Sequence, residues 1–140
     1  MLEMTIAIRW RDMDAYGHVN NATYLTYLEE CRDAWVHRVL GEVSNAWDFV
    51  LARIAVDFRS ELRQDDGEVI VRCRIAGLGR SSIRTREEIV KSDGTVSAEA
   101  ESVIVPRDPD LDRSRPLTDE ERRLLEAELA GDTAAVSPRP

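Results

Sequence analysis

Met4, Ile6, Ile8 and Trp10 alternate with Thr5, Ala7, Arg9 and Arg11. That two-residue period is the mark of a half-buried strand. From Tyr24 the period lengthens. Tyr24, Leu28, Cys31 and Trp35 form one row, and Leu25, Leu28, Arg32, Val36 and Val39 a second. Together they predict a helix from about Ala22 to Leu40, capped by Asn20 or Asn21 and stopped at Gly41. Such a helix is about 28 Å long and needs a large surface to cover. The following segments supply one. Val50 to Leu62 alternates, with Val50, Ala52, Ile54, Val56, Phe58 and Leu62 on one face. Val69, Val71, Cys73 and Ile75 form a second run, Ile83 to Ile89 a third, and Val96 to Ile104 a fourth that Pro106 stops. Asp65-Asp66-Gly67, Gly77-Leu78-Gly79 and Ser92-Asp93-Gly94 separate them as tight turns. Strands so joined are expected to pair antiparallel as a meander. With the first strand the sheet has about five members, one face wrapping the long helix in an α+β domain of two layers.

Beyond residue 106 the pattern changes. Arg107 to Arg115 reads as a charged linker. Leu117 to Ala130 reads as a short helix, opened by Thr118 with Glu121 three residues on, the pair of a capping box. Leu124, Leu125 and Leu129 could dock it, and Gly131 to Pro140 looks frayed. The expected division is one domain over 1–106 and an appendage over 107–140.

The length of 140 residues suits a single core. A net charge of −8 and a pI near 4.8 argue against nucleic acid as a partner. No apolar run approaches a membrane span, and the first ten residues do not read as a signal peptide. A cytoplasmic protein that engages no membrane is expected. Cys31 and Cys73 both fall on apolar phases and read as buried free thiols.

Candidate chemistry lies between the first strand and the helix. Asp12 to Asn21 is a polar loop feeding a helix N-terminus, where unpaired N–H groups and the positive dipole end gather. Asp14, a few residues before it, gives an acid that can attack or activate water beside N–H groups that can hold an oxyanion. Asp12, two residues earlier, reads as structural, with a spare acid the alternative. Gly17 permits backbone geometry that a side chain would block. His18 reads as a loop residue orienting its neighbours, with general-base work the alternative. Asn20 and Asn21 can cap the helix or bind water. Glu29 and Glu30 read as surface or interface acids paired with an Arg, with an acid aimed at the site of a paired subunit the alternative. Arg72, Arg74, Arg80, Arg84 and Arg86 either balance acids on an outer sheet face or form a rim for phosphates. Trp35, Trp47, Phe49 and Tyr24 are aromatic residues for a core or a pocket.

The run Arg11-Asp12-Met13-Asp14-Ala15-Tyr16-Gly17-His18-Val19-Asn20-Asn21, followed by Tyr24, Tyr27, Glu29 and Arg32, resembles the signature of 4-hydroxybenzoyl-CoA thioesterase-like acyl-CoA thioesterases. Gly79-Arg80-Ser81-Ser82 opening a strand is similar to the same group. The resemblance implies a hotdog fold and hydrolysis of an acyl-CoA or acyl-carrier-protein thioester, with no cofactor and no metal. It implies Asp14 as the catalytic carboxylate and Asn21 as the residue whose N–H polarises the thioester carbonyl, with Gly17 and His18 beside them. It implies substrate contacts from Tyr16, Asn20, Tyr24 and Gly79 to Ser82. It also implies a homodimer, or a tetramer of paired dimers, with sites at the subunit interface. A hotdog hydratase or dehydratase and a non-catalytic acyl-CoA-binding protein are the alternatives.

Overall fold

The computed structural model describes residues 1–135; the end of the tail expected to fray lies outside the described residues. The first strand, β1 (Leu2–Ala7), is shorter than its alternation predicts. The chain leaves the sheet after Ile8 and turns through a short 3-10 segment, Trp10–Asp12. Trp10, expected on the buried face, is 78% exposed there. The cause is Asp12, whose carboxylate accepts from the Arg9 N–H at 3.0 Å and closes the turn.

The long helix, α1 (Asn21–Leu40), starts where a cap is best placed. Asn20 holds extended dihedrals and its side chain accepts from the Ala22 N–H at 2.9 Å. At 20 residues it is about 30 Å long. Gly41 stops it in a right-handed conformation, where a Cβ would collide with the His37 carbonyl oxygen.

Four further strands follow: β2 (Phe49–Phe58), β3 (Glu68–Leu78), β4 (Ile83–Lys91) and β5 (Val96–Asp108). The sheet order is β1-β3-β4-β5-β2, antiparallel throughout. Only β3, β4 and β5 form the expected meander. β2 pairs with β5 on the far side, so Asp65-Asp66-Gly67 is not a hairpin turn. The link from β2 to β3 crosses the open end of the sheet, anchored by Leu62, which is fully buried. Val19 N–H donates to the Leu62 carbonyl at 2.7 Å, and Leu62 N–H donates to the Tyr24 hydroxyl at 3.1 Å. Leu62 therefore belongs to the link and not to β2.

The inner face of the sheet wraps α1, with Trp35, Tyr27, Leu28 and Leu40 fully or almost fully buried between them. One inward position on β4 is a charge. Glu87 is 1% exposed and meets Arg32 of α1, 4% exposed, at 3.4 Å. Thr85 and Ser102 donate to the Glu87 carboxylate at 2.9 and 3.0 Å. Burial raises the Glu87 pKa, partly offset by Arg32 and the two hydroxyls. The buried acid is thus kept by donors rather than excluded.

The segment expected as a linker is structured. β5 runs through Pro106, and Arg107 and Asp108 pair with a two-residue strand, β6 (Arg113–Ser114). Pro106 lies two residues past Ile104, the last β5 residue opposite β4, where a missing N–H is tolerated at the end of that ladder, and its carbonyl accepts from the Arg115 N–H at 3.0 Å. The final helix, α2 (Asp119–Ala135), opens with the expected capping box and runs past the expected end at Ala130, through Gly131 to Ala135 of the tail expected to fray. Glu121 N–H donates to the Thr118 hydroxyl at 3.1 Å, and Thr118 N–H donates to the Glu121 carboxylate at 2.8 Å. Glu121 is fully buried, with Arg115 donating to both its oxygens at 2.8 and 2.9 Å and Ser44 to one at 2.6 Å. Leu117 and Leu125 bury beside it. No helix among the described residues is long and apolar enough to cross a membrane.

Burial alone would raise the Glu121 pKa, but Arg115, Ser44 and the Thr118 N–H outweigh it and bring it from 4.5 down to about 2. The stabilisation is therefore complete above pH 4.5 and drains away as pH falls toward about 2. The urea midpoint of wild type should fall through that window, whereas that of Glu121→Gln, already lower at pH 7, should fall less. Parallel pH curves for the two proteins would contradict the assignment.

Candidate active site

The loop between β1 and α1 is built on two acids with opposite surroundings. Asp12 is 3% exposed. It accepts from the Arg9 N–H, from the Arg9 guanidinium at 3.1 Å and from the Tyr27 hydroxyl at 2.6 Å. Burial would raise its pKa, but Tyr27 and Arg9 outweigh that and hold it below the usual carboxylate range. Burial and Asp12 together push the Tyr27 hydroxyl up. With its lone pairs engaged, Asp12 fastens the loop to α1, as its structural reading anticipates.

Asp14 stands free by comparison. Met13 and Val19 bridge the base of a small hairpin. Inside it Gly17 N–H donates to the Asp14 carbonyl at 3.1 Å, and Gly17 takes φ +81°, a conformation that costs glycine little. The Asp14 carboxylate accepts from the Tyr16 N–H at 2.9 Å and lies 3.5 Å from the Asn20 side-chain amide. Its side chain keeps 20% of its surface. His18 Nδ1 is 4.0 Å away, and Nε2 is 4.0 Å from Glu61. Tyr16 stacks on His18 with centroids 6.1 Å apart and is 84% exposed.

Asn20 links the acid to the helix. Its Oδ1 caps the Ala22 N–H, and its carbonyl accepts from the Thr23 N–H at 2.9 Å. The Asn21 N–H has no hydrogen-bond partner among the described residues. The first residue of α1 thus presents a bare donor at the positive end of the dipole, one residue from the amide that touches Asp14.

The remaining predicted contacts do not gather here. Tyr24 is buried, its hydroxyl donating to the Ser60 carbonyl at 3.4 Å and its ring meeting Phe58 edge-on. Gly79 to Ser82 form the β3–β4 turn, at the other end of β3 from the Gly67 that receives the Ile8 N–H. The 11 residues of β3 separate these ends by about 35 Å. Arg74, Arg84 and Arg86 lie on the outer sheet face without an ion pair among the described residues, whereas Arg72 pairs with Glu3 at 2.8 Å.

A cavity of about 280 Å³ opens between α1 and β2, away from the Asp14 loop. Trp47 and Phe49 line it, as do Glu29, Arg32 and Asp33. Trp35 is core instead. Burial, and then Glu29, raise the Asp33 pKa. Sequence reading named the two aromatics but missed Asp33, whose helical phase beside Glu29 was the available signal. Among the described residues no group of His, Cys, Asp and Glu side chains is arranged to hold a metal.

Residues 8–125 match the model of the thioesterase-like superfamily. The chain belongs to that superfamily. A thioesterase from Thermus thermophilus, solved with coenzyme A and zinc, is 32% identical, with a TM-score of 0.80 over 91% of this chain and 93% of that one. A protein described as a predicted thioesterase from Bacillus stearothermophilus is 29% identical, with a TM-score of 0.81 over 91% and 95%. A Staphylococcus aureus protein solved with CoA shares only 13% identity but has a TM-score of 0.84 over 99% and 88%, a likeness of fold alone. No curated protein matches the chain. The curled antiparallel sheet around α1 is the hotdog fold of these thioesterases.

Tyr27→Phe should leave the buried Asp12 short of its shortest hydrogen bond and cost about 1–3 kcal/mol. Urea unfolding of the single variant against wild type measures it. An unchanged midpoint would mean that Tyr27 does not hold the loop.

Proposed function

We propose that this superfamily member hydrolyses an acyl-CoA or acyl-carrier-protein thioester to the free acid and the thiol. The observation that carries the reading is the Asn21 N–H at the start of α1, without a hydrogen-bond partner among the described residues, next in the chain to the Asn20 amide that lies 3.5 Å from the partly exposed Asp14 carboxylate. In this scheme the thioester carbonyl oxygen accepts from the Asn21 N–H, which stabilises the oxyanion as it forms. Asp14 either attacks the acyl carbon, giving a mixed anhydride that water then opens, or takes a proton from a water that attacks directly. In both routes the carbon–sulfur bond breaks and the thiolate leaves; the hydrolytic water supplies the hydroxyl of the acid, and its proton, passed by Asp14 or through solvent, converts the thiolate to the thiol. Gly17 lets the loop approach the substrate, and His18 orients it.

The reading includes a second copy of the chain. The Asp14 loop and the Gly79–Ser82 turn sit at opposite ends of one protomer, so one substrate cannot span both. β2 ends the sheet, with β5 as its one strand neighbour among the described residues, and Val50, Leu51 and Phe58 are exposed, as is Leu25 of α1. Its Phe58 end lies by Tyr24, and its Phe49 end pairs with β5 near the turn. Antiparallel pairing of two β2 edges would set the loop of each copy toward the turn of the other and cover an edge that invites association.

Assay of a panel of acyl-CoAs by thiol release should show hydrolysis that falls at least about a hundredfold in Asp14→Ala and Asp14→Asn. Asn21→Pro is the sharper variant. Proline suits the first helical position and Asn20 already has the extended conformation it demands, so the helix keeps its start while the N–H is lost; Asn21→Ala, which loses the side-chain amide and keeps the N–H, is its control. Hydrolysis should drop about a hundredfold or more with the melting temperature preserved. Full activity in either set would overturn the assignment. Charges at the edge, Val50→Lys with Leu51→Asp, should yield a folded monomer by size-exclusion chromatography that has lost hydrolysis. An active monomer would remove the second copy from the scheme.

A further inference from the structure

The β3–β4 turn treats its peptide groups unequally. A tight hairpin normally closes by mutual exchange between its flanking residues. Here the Gly79 N–H donates to the Ser82 carbonyl at 2.9 Å, but the return bond is not made. The Gly79 carbonyl instead accepts from Arg122 Nη2 of α2 at 2.9 Å. The Arg80 carbonyl accepts from the Leu117 N–H at 3.0 Å and from the same Arg122 nitrogen at 3.4 Å. The N–H groups of Arg80, Ser81 and Ser82 have no hydrogen-bond partner among the described residues. The turn is tight, since a Cβ on Gly79 would collide with the Ser82 hydroxyl.

We infer that Arg122 is a positioning residue for the carrier arm of the thioester. Its guanidinium turns the Gly79 carbonyl toward α2 and supports the Leu117 N–H in holding the Arg80 carbonyl there, which leaves consecutive N–H groups and two serine hydroxyls for an acceptor-rich ligand. The chemical class that fits is a phosphopantetheine arm, whose amide carbonyls and phosphates offer only oxygen acceptors to such donors. This inference rests on the thioesterase reading. α2 is anchored separately, through Glu121 to Arg115 and Ser44 and through Leu125 in the core, so removing the Arg122 side chain frees the Gly79 carbonyl without releasing the helix, while the Leu117 N–H still holds the Arg80 carbonyl.

The test is steady-state kinetics of wild type, Arg122→Ala and Arg122→Lys on two esters of one acid. One is the acyl-CoA; the other is the ethanethiol ester, which lacks the arm. Arg122→Ala should raise KM for the acyl-CoA about tenfold, as the N–H groups of the turn lose their alignment on the arm, with kcat nearly unchanged. The ethanethiol ester should be cleaved as by wild type. Arg122→Lys should recover part of the loss, since one ammonium can still reach a carbonyl. An unchanged KM in Arg122→Ala would overturn the proposal. So would equal losses on both esters accompanied by a fall in melting temperature, which would mark Arg122 as support for the helix alone. Wild type that cleaves neither ester would overturn the thioesterase reading itself, a result that differences among variants cannot imitate.

Discussion

Asp12 loses nearly all contact with water on folding, so its carboxylate has to find donors inside the protein. It finds them on both sides of the active-site loop: Arg9 before it and Tyr27 on the helix after it. Everything proposed for the site depends on that junction. It ends β1 early, turns the chain outward, and returns it at Asn20, whose N–H donates to the Asp12 carbonyl at 3.0 Å. Only with the loop tied down in this way can Asp14 be held beside a helix terminus without being buried. The two acids, two residues apart, divide the work. One supplies position because its donors are complete, and the other keeps contact with water because its donors are few.

Much of this was legible in the sequence because it is local. The helix, the inward phases of β3 to β5 and the Thr118–Glu121 box all rest on spacings of a few residues. Asp14, Gly17 and Asn21 stood out because turn residues crowd the entry to a helix. What was not legible is non-local. Nothing in Val50 to Phe58 says that it pairs with β5 rather than with its sequence neighbour β3. Glu87 betrays its inward phase, but not that Arg32 waits across the core. Arg122 looks like an exposed helix residue until the turn it holds, over forty positions earlier in the chain, is seen against it.

Polar interactions carry unusual weight at the seams of this fold. Arg32–Glu87 joins helix to sheet, Arg115–Glu121 joins the terminal helix to the sheet's end, and Asp12–Tyr27 joins loop to helix. Each buries a carboxylate and satisfies it through more than one donor. Breaking one partner would leave a buried charge exposed to a low dielectric, a cost larger than the pair's net worth. Geometry at these seams is fixed more sharply than apolar packing alone would fix it.

The position of β2 also bears on how the chain reaches its fold. Phe49 must wait for Pro106, and Phe58 for Ala98, before either has a partner in the ladder. As the chain emerges in order, β2 appears directly after α1 and has only that helix to lie against until β3, β4 and β5 exist. Long loop closure precedes the reward of pairing. The sheet is therefore sealed late, from the side that began early. During that interval its apolar strand is the surface most exposed to wrong partners.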